Sequence, residues 1–456
     1  MKKSKKLIFA VVLNLLLSTL FTSALSAQSE GYISQEKLLF QKVPIVVTAA
    51  KYEQKITEAP ATIDVITAEK IENSGSRTID EALRYLSGID IRHAGTKLYL
   101  APRGLIGTNP GGTNRVLCLI DGRPINTPRN GSFHPGLNVA LTNVKKIEVI
   151  RGPGSALYGA NAFAGVINII TKAPEDVNGL KVSVSGGEFS TQWHKLLFGM
   201  KKDKISALLT ARYYDTQGPQ LTADNSDYND YNLYGKLNFS NLTLAFGHHQ
   251  SDLGLPGSLT QPTPKFKEEI EESFVDISGN IAYTSNSNLM LRGYITNRKD
   301  KVQMVTDLTV DDKIRGIEMQ NNWQINPKHL LIGGIDAKWE SSKSEEALAG
   351  GEHSTRNIAI YLQEEFKPIE ELIFTLGTRY DDHSVYGSVL SPRCSAVYSF
   401  SDTTIKTSYG EAFRAPTFAE LYSDIWHDPS KHMVGNDNLE PEEIKTYEMD
   451  VIHIHI

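Results

Sequence analysis

From Gly179 onward the chain alternates apolar and polar residues in short runs separated by turn residues. In 357–366, Ile358, Ile360 and Leu362 fall on one face, and Asn357, Tyr361, Gln363 and Glu365 on the other. In the next run, Leu372, Phe374 and Leu376 oppose Thr375, Gly377 and Arg379. Period two predicts strands with one apolar and one polar face. Fourteen such segments can be marked: 180–187, 192–200, 204–214, 230–239, 241–250, 274–284, 288–298, 313–325, 328–340, 355–366, 371–381, 391–399, 404–412 and 444–454. Tight connections (201–203, Ser240, 285–287, 326–327, 367–370, 400–403) interleave with longer ones (215–229, 251–273, 299–312, 341–354, 413–443). Short turns on one side and long loops on the other predict a transmembrane antiparallel β-barrel. A soluble all-β sandwich would not explain that rhythm.

Residues 51–172 follow a different pattern, that of a compact α+β domain. Thr62-Ile63-Asp64-Val65-Ile66 alternates as a strand, and Thr67 is placed to cap a helix beginning at Ala68. Thr78-Ile79-Asp80-Glu81 reads as a capping box, with Gly88 as the helix stop. Val116-Leu117-Cys118-Leu119-Ile120 is a buried strand closed by the turn pair Asp121-Gly122. In 143–172 an alternating run (Ile147, Val149) ends at Arg151-Gly152-Pro153-Gly154, passes Tyr158-Gly159, and re-enters an apolar strand at Val166-Ile167-Asn168-Ile169-Ile170. No Lys follows these glycines as a phosphate loop requires, and the places flanking Ser155 hold Pro153 and Leu157 where a nucleophile elbow needs glycines.

The N-terminus changes the picture of where the chain works. Lys2, Lys3, Lys5 and Lys6 precede an apolar core from Leu7 to Leu20, and Ser23-Ala24-Leu25-Ser26-Ala27 supplies small residues for cleavage. This is the anatomy of a secretory signal over 1–27. A retained anchor competes, but the core is short against the about 20 apolar residues a span needs. The mean hydropathy of −0.27 excludes a helical membrane protein and leaves a barrel open. A net charge of −6 without a basic stripe argues against nucleic acid. Two cysteines make no disulfide scaffold: Cys118 reads as a small core residue, and a bridge to Cys394 is disfavoured.

Leu86-Ser87-Gly88-Ile89, Arg103-Gly104, Leu119-Ile120-Asp121-Gly122 and Ile147-Glu148-Val149-Ile150-Arg151-Gly152-Pro153 together closely resemble the plug domain of TonB-dependent outer-membrane receptors. Arg379-Tyr380-Asp381-Asp382-His383, Ser391-Pro392-Arg393 and Ala412-Phe413-Arg414-Ala415-Pro416-Thr417 resemble the barrel of the same family. The resemblance implies a signal peptide (1–27), a tether (28–50), a plug (51–172) and a barrel (173–456), in the Gram-negative outer membrane and against its lipid. It implies no enzyme and no resident cofactor. Ile45-Val46-Val47-Thr48-Ala49 resembles the box that engages periplasmic TonB and its inner-membrane energy-coupling complex. Physically, a β-prone segment on a tether can add as an edge strand to a partner sheet. The competing reading is the first plug strand.

One departure stands out. Plugged transporters have about 22 strands, and fourteen would make too narrow a barrel for such a plug. The expectation is therefore a C-terminally truncated receptor lacking about eight strands. Two readings stay open, an importer in its intact form and a non-transporting remnant.

Among candidate residues, Arg103 and Arg151 sit at plug motif positions, while alternation places Glu365 and Glu448 on the lumen side. Together they would form a charge-assisted latch between plug and barrel. Arg123, Arg129, Phe133 and His134 are expected at the plug apex, where positive and aromatic groups suit an anionic, ring-bearing ferric siderophore. Cobalamin is the alternative cargo. The acidic loop 215–230, with Asp224, Asp227 and Asp230, leans that way through calcium, although its spacing is not an EF-hand and a solvated loop is favoured. His248-His249 and His453/His455 lack partners at ligand spacing and read as ordinary strand residues.

Overall fold

The structure is a computed structural model that describes residues 43–94, 97–102, 113–133, 139–218, 226–255, 266–303, 307–428 and 431–453. The signal-like segment, Arg103, His134, Asp224 and His455 lie outside these residues. The described residues form one compact unit.

The N-terminal half builds small sheets. Strands β1 (Ile45–Val46) and β2 (Gln54–Lys55) pair as a short antiparallel ribbon. Strand β3 (Thr62–Thr67) leads into helix α1 (Ala68–Ser74), where the Thr67 hydroxyl accepts from Lys70 N as its cap position predicts. Thr78 likewise caps α2 (Ile79–Leu83), but Glu81 accepts from Arg77 N rather than closing the box on Thr78. Strands β4 (Ile89–Ala94) and β5 (Lys97–Pro102) form a hairpin. Next come β6 (Val116–Ile120), β7 (Arg123–Pro124), β8 (Val144–Arg151), helix α3 (Ser155–Tyr158) and β9 (Gly165–Thr171). The main plug sheet has the order β3-β8-β9-β6-β7, with β6 and β9 parallel.

Alternation on β8 divides the plug core in two. Ile147 and Val149 join Cys118, Ile167 and Ile169 on the face covered by Ile71, Ile79 and Leu83. Ile150 joins Leu117, Leu119 and Val166 on the opposite face, and that face is covered by Val46 and Ala49. The N-terminal segment is thus a piece of plug core. Burying one side chain of this size is worth about 1.5–3 kcal/mol.

All fourteen alternating segments become strands of one antiparallel sheet. They are β10 (Gly179–Gly187), β11 (Thr191–Lys202), β12 (Ile205–Thr216), β13 (Tyr228–Phe239), β14 (Leu242–Gly254), β15 (Lys267–Thr284), β16 (Ser287–Gln303), β17 (Leu308–Asn326), β18 (His329–Lys343), β19 (Glu352–Ile369), β20 (Leu372–His383), β21 (Gly387–Phe400) and β22 (Thr403–Arg414). After helix α4 (Phe418–Tyr422) and the hairpin β23 (Asp424–Asp428) and β24 (Lys431–Val434), β25 (Glu442–His453) closes the series against β22. The sheet does not close on itself: β10 and β25 are its edges. Ile360 and Leu376 are 58% and 61% exposed while Tyr361 and Thr375 are 2% and 1%, so the lipid and inner faces fall where alternation put them.

Several strands run further than their apolar pattern. Strand β15 starts at Lys267 rather than Phe274, and its added residues include Lys267, Glu268, Glu269, Glu271 and Glu272. Backbone pairing continues there without a lipid-facing apolar set to mark it. The plug rests against the inner face. Asp121 forms a 2.8 Å ion pair with Lys236 and accepts from Thr171 and Tyr234. Burial pushes its carboxyl up, but Lys236 and the Thr171 donors outweigh that and lower it to about 2.

Candidate functional site

Two regions of the plug carry chemistry, one beneath the long loops and one at the N-terminal segment. The first is a narrow cleft of about 80 Å³ between plug turns and the inner wall of the sheet. The plug supplies Asn126, Thr127 and Asn161; β18 supplies Asp336, Lys338 and Glu340; β19 and β20 supply Asn357, Arg379 and His383. A strap following β22, with Pro416, Phe418 and Leu421, closes one side. The strap is tied to the plug: Ala419 N donates to Arg129 O at 2.7 Å and Phe418 N to Pro128 O at 3.4 Å. Its helix α4 carries a complete capping box between Thr417 and Glu420, and Arg414 pairs with Glu420 at 2.7 Å and Glu442 at 2.8 Å.

Within the cleft, Arg379 is gripped by Asp381 at 2.9 Å and Asp336 at 3.4 Å, and it donates to Leu157 O on the plug. Asn357 donates to Asp381 Oδ1 at 2.8 Å. Lys338 pairs with Glu340 at 3.2 Å. The rings of His383 and Tyr386 stack at 3.9 Å and 7°.

The second region is 45–50. Val46, Thr48, Ala49 and Ala50 are wholly buried, while Ile45 is 46% exposed. Glu148, itself buried, accepts from Val47 N at 3.0 Å, Thr48 N at 2.8 Å and Thr48 Oγ1 at 2.5 Å. Lys146 pairs with the same carboxylate at 2.7 Å and also donates to Ile45 O. Tyr158 donates to Thr48 O, and Arg393 on β21 to Ala49 O. Lys51 then reaches Glu318 on β17 at 2.5 Å. Ile45 and Val46 are the first plug strand, as the competing reading had it, and the rest of the stretch is held against the plug by side chains.

The expected latch divides differently. Arg151 is engaged by Asp64 of the plug, at 2.7 Å and 2.9 Å, and donates to Ser87 O. Glu365 is engaged by the Tyr52 hydroxyl. Glu448 lies on the inner face as alternation required, against the residue after Arg151: a Cβ on Gly152 would sit 2.7 Å from its Oε1, and Gly152 has φ +113°. Plug and sheet do meet there, by close packing at Gly152.

The apex residues need correction. Arg123 is 1% exposed, donates to Thr296 Oγ1 at 2.9 Å and lies 3.8 Å over the Phe274 ring, clamping plug to sheet outside the cleft. Phe133 is in the main plug core. Arg129 contributes its carbonyl to the strap, and its Nε is buried without a partner. A turn residue of the plug is enclosed by the sheet wall, which sequence patterning does not see. In the acidic loop, Asp227 pairs with Lys267 and Asp230 makes a buried two-toothed pair with Arg212. Among the described residues no cluster of three or more His, Cys, Asp or Glu could hold a metal. His248 bonds Ser273, His249 faces Asp230 and His453 bonds Thr403. Both cysteines are free, Cys118 buried and Cys394 exposed.

The sequence reading missed Glu148, whose signal was a charge interrupting the apolar Ile147-Val149-Ile150 run. It also missed Asn357 and Arg379 as cleft residues, although it placed both on the inner face.

Comparison with known proteins matches two family models along the chain. The family model for the TonB-dependent receptor plug domain matches residues 55–166, and that for the TonB-dependent receptor-like β-barrel matches 203–449. The chain is 28% identical over 432 residues to the vitamin B12 transporter BtuB of Photobacterium profundum, covering 90% of this chain and 67% of that protein. It is 28% identical to the iron-regulated outer membrane virulence protein of Vibrio cholerae El Tor Inaba N16961, covering 90% and 66%. Among solved structures, the siderophore receptor PirA of Acinetobacter baumannii superposes with TM-score 0.68 at 18% identity, covering 86% of this chain and 68% of that one. A mutant ferric enterobactin receptor PfeA of Pseudomonas aeruginosa gives 0.69 at 18%, covering 90% and 71%.

Proposed function

The chain belongs to the TonB-dependent receptors, an outer-membrane family, and from that premise we propose that it binds a scarce nutrient complex in the cleft and imports it under TonB control. The observation carrying this reading is that one plug lines the cleft with Asn126 and Asn161 and also buries the 45–49 segment beneath Glu148. Ligand and coupling partner thus act on the same small domain. Residues 44–50 are the TonB-engaging stretch, and the chain is exported after removal of about the first 27 residues.

The cargo is a metal-centred chelate of the siderophore or cobalamin kind, as the relatives' names indicate for those proteins. The sequence-based leaning to an anionic siderophore rested in part on Arg123, Arg129, Phe133 and His134 at the plug apex, and the burial of Arg123 and Phe133 weakens it. Uptake of radiolabelled cyanocobalamin and ferric chelates by a receptor-deficient host expressing the chain tests the function. Val47→Pro deletes the N–H held by Glu148 and should abolish uptake while ligand binding persists. Absence of both binding and uptake refutes the reading. Unchanged uptake in Val47→Pro moves the coupling stretch elsewhere.

A further inference from the structure

We infer that the cleft selects an uncharged complex presenting hydrogen-bond donors, such as carboxamide or hydroxyl groups, over a polyanionic chelate; this rests on the functional reading above. Charge is the first observation. Among the described residues, and apart from His383, the charged side chains lining the cleft are Asp336, Lys338, Glu340 and Arg379, which sum to zero. Both cations already have carboxylates, Lys338 with Glu340 and Arg379 with Asp381 and Asp336. Asp381, wholly buried behind Arg379, tips the local balance negative. A polyanion would face the Asp336 and Glu340 carboxylates and would have to break existing pairs to gain a cation. Like-charge juxtaposition in a partly dry site is strongly selective against such a ligand.

An unsatisfied acceptor is the second observation. Asn357 is 7% exposed, and its Nδ2 donates to Asp381. A carboxylate only accepts, so this bond fixes which end of the amide is which. The carbonyl Oδ1 is then buried with no hydrogen-bond partner. Asn161, on the plug side of the cleft, has a buried Oδ1 in the same condition. Two acceptors on two walls call for donors from the ligand. The phenolate or carboxylate oxygens of an anionic chelate offer further acceptors and leave both carbonyls orphaned. The stacked His383–Tyr386 pair adds a flat surface that suits the face of a ring system.

The test uses the full chain in detergent micelles and calorimetric titration with three probes. Cyanocobalamin is uncharged and rich in carboxamides, ferrichrome is a neutral hydroxamate, and ferric enterobactin is a tris-catecholate anion. At least one neutral probe should bind more tightly than the catecholate by roughly tenfold or more, with little dependence on salt. Asn357→Leu should weaken that probe roughly tenfold and leave catecholate binding unmoved. The two neutral arms separate a corrinoid from a hydroxamate source. Should Asn357→Leu fail to fold, Asn161→Ala at the plug turn carries the mutational arm, and the ranking of probes needs no variant. Tightest binding by ferric enterobactin, weakening steeply with salt, would overturn the inference while leaving the receptor reading intact. So would wild-type affinity for the neutral probe in both variants. Failure of all three probes to bind overturns the receptor reading and this inference with it.

Discussion

Replacing Glu148 should free the N-terminal segment without unfolding the plug. The carboxylate accepts two backbone N–H groups and one hydroxyl, at 3.0, 2.8 and 2.5 Å. Hydrogen bonds to a charged group contribute about 1.5–3 kcal/mol each, but the three share one acceptor and do not add. A buried charged partner removed on one side costs about 3–5 kcal/mol. Glu148→Ala should therefore shift the docked-to-free equilibrium of 45–50 by roughly two to three and a half decades. Glu148→Gln keeps one carbonyl acceptor and should fall between. Helices α1 and α2 pack on the opposite face of the sheet, through Ile71, Ile79 and Leu83, so the main core is spared. A spin label at Ile45→Cys, in a Cys394→Ser background, reads the change directly, since Ile45 is half-exposed and Cys118 is buried. The expected spectrum is immobilised in the parent and mostly mobile in Glu148→Ala. An unchanged, immobilised spectrum in a folded Glu148→Ala protein would refute the clamp.

Three other expectations concern the plug. A double-mutant cycle for Arg151→Ala with Asp64→Ala should show about 1–2 kcal/mol of coupling in unfolding experiments, and the same cycle with Glu365→Ala should be additive, as the observed contacts dictate. Gly152→Ala should raise protease sensitivity of the plug by about 1–3 kcal/mol of local destabilisation, because its φ is +113° and its Cβ meets Glu448; adding Glu448→Ala should recover the steric part, and no recovery would separate the two residues. Asp121, with its carboxyl lowered to about 2, stabilises the docked plug fully above about pH 4 and loses that contribution as pH falls toward 2. The loss is about 2 kcal/mol, and Asp121→Asn should flatten the acid limb of a plug-protection profile.

The fold was legible where one physical rule dominated. Strand period survived because lipid and plug impose opposite demands on Ile360 and Tyr361, and the two helix caps at Thr67 and Thr78 are local hydrogen-bond choices. The inner-face placement of Glu365, Glu448, Asn357 and Arg379 followed from the same parity. Partners were another matter. Arg151 finds Asp64 because β3 and β8 pair with Thr62 opposite Arg151, a register set by tertiary contacts rather than by either strand alone. Arg123 looked like an exposed turn residue until the sheet wall enclosed it beside Phe274. Parity tells which way a side chain points, and it is silent on what stands there.

Under the proposed coupling role of residues 45–50, covering one face of the plug sheet with Val46 and Ala49 makes the handle of this receptor out of its own interior. A partner that pulled residues 45–50 away would uncover Leu119, Ile150 and Val166, so each pull would also be a partial melting, and each cycle would end in repair. The repair is local, a matter of a few residues finding a waiting carboxylate, and such short-range ordering takes about microseconds. Turnover would then be limited by how long the partner holds on, and fatigue, in the form of plugs that fail to re-seat, becomes a hazard that the grip of Glu148 keeps small.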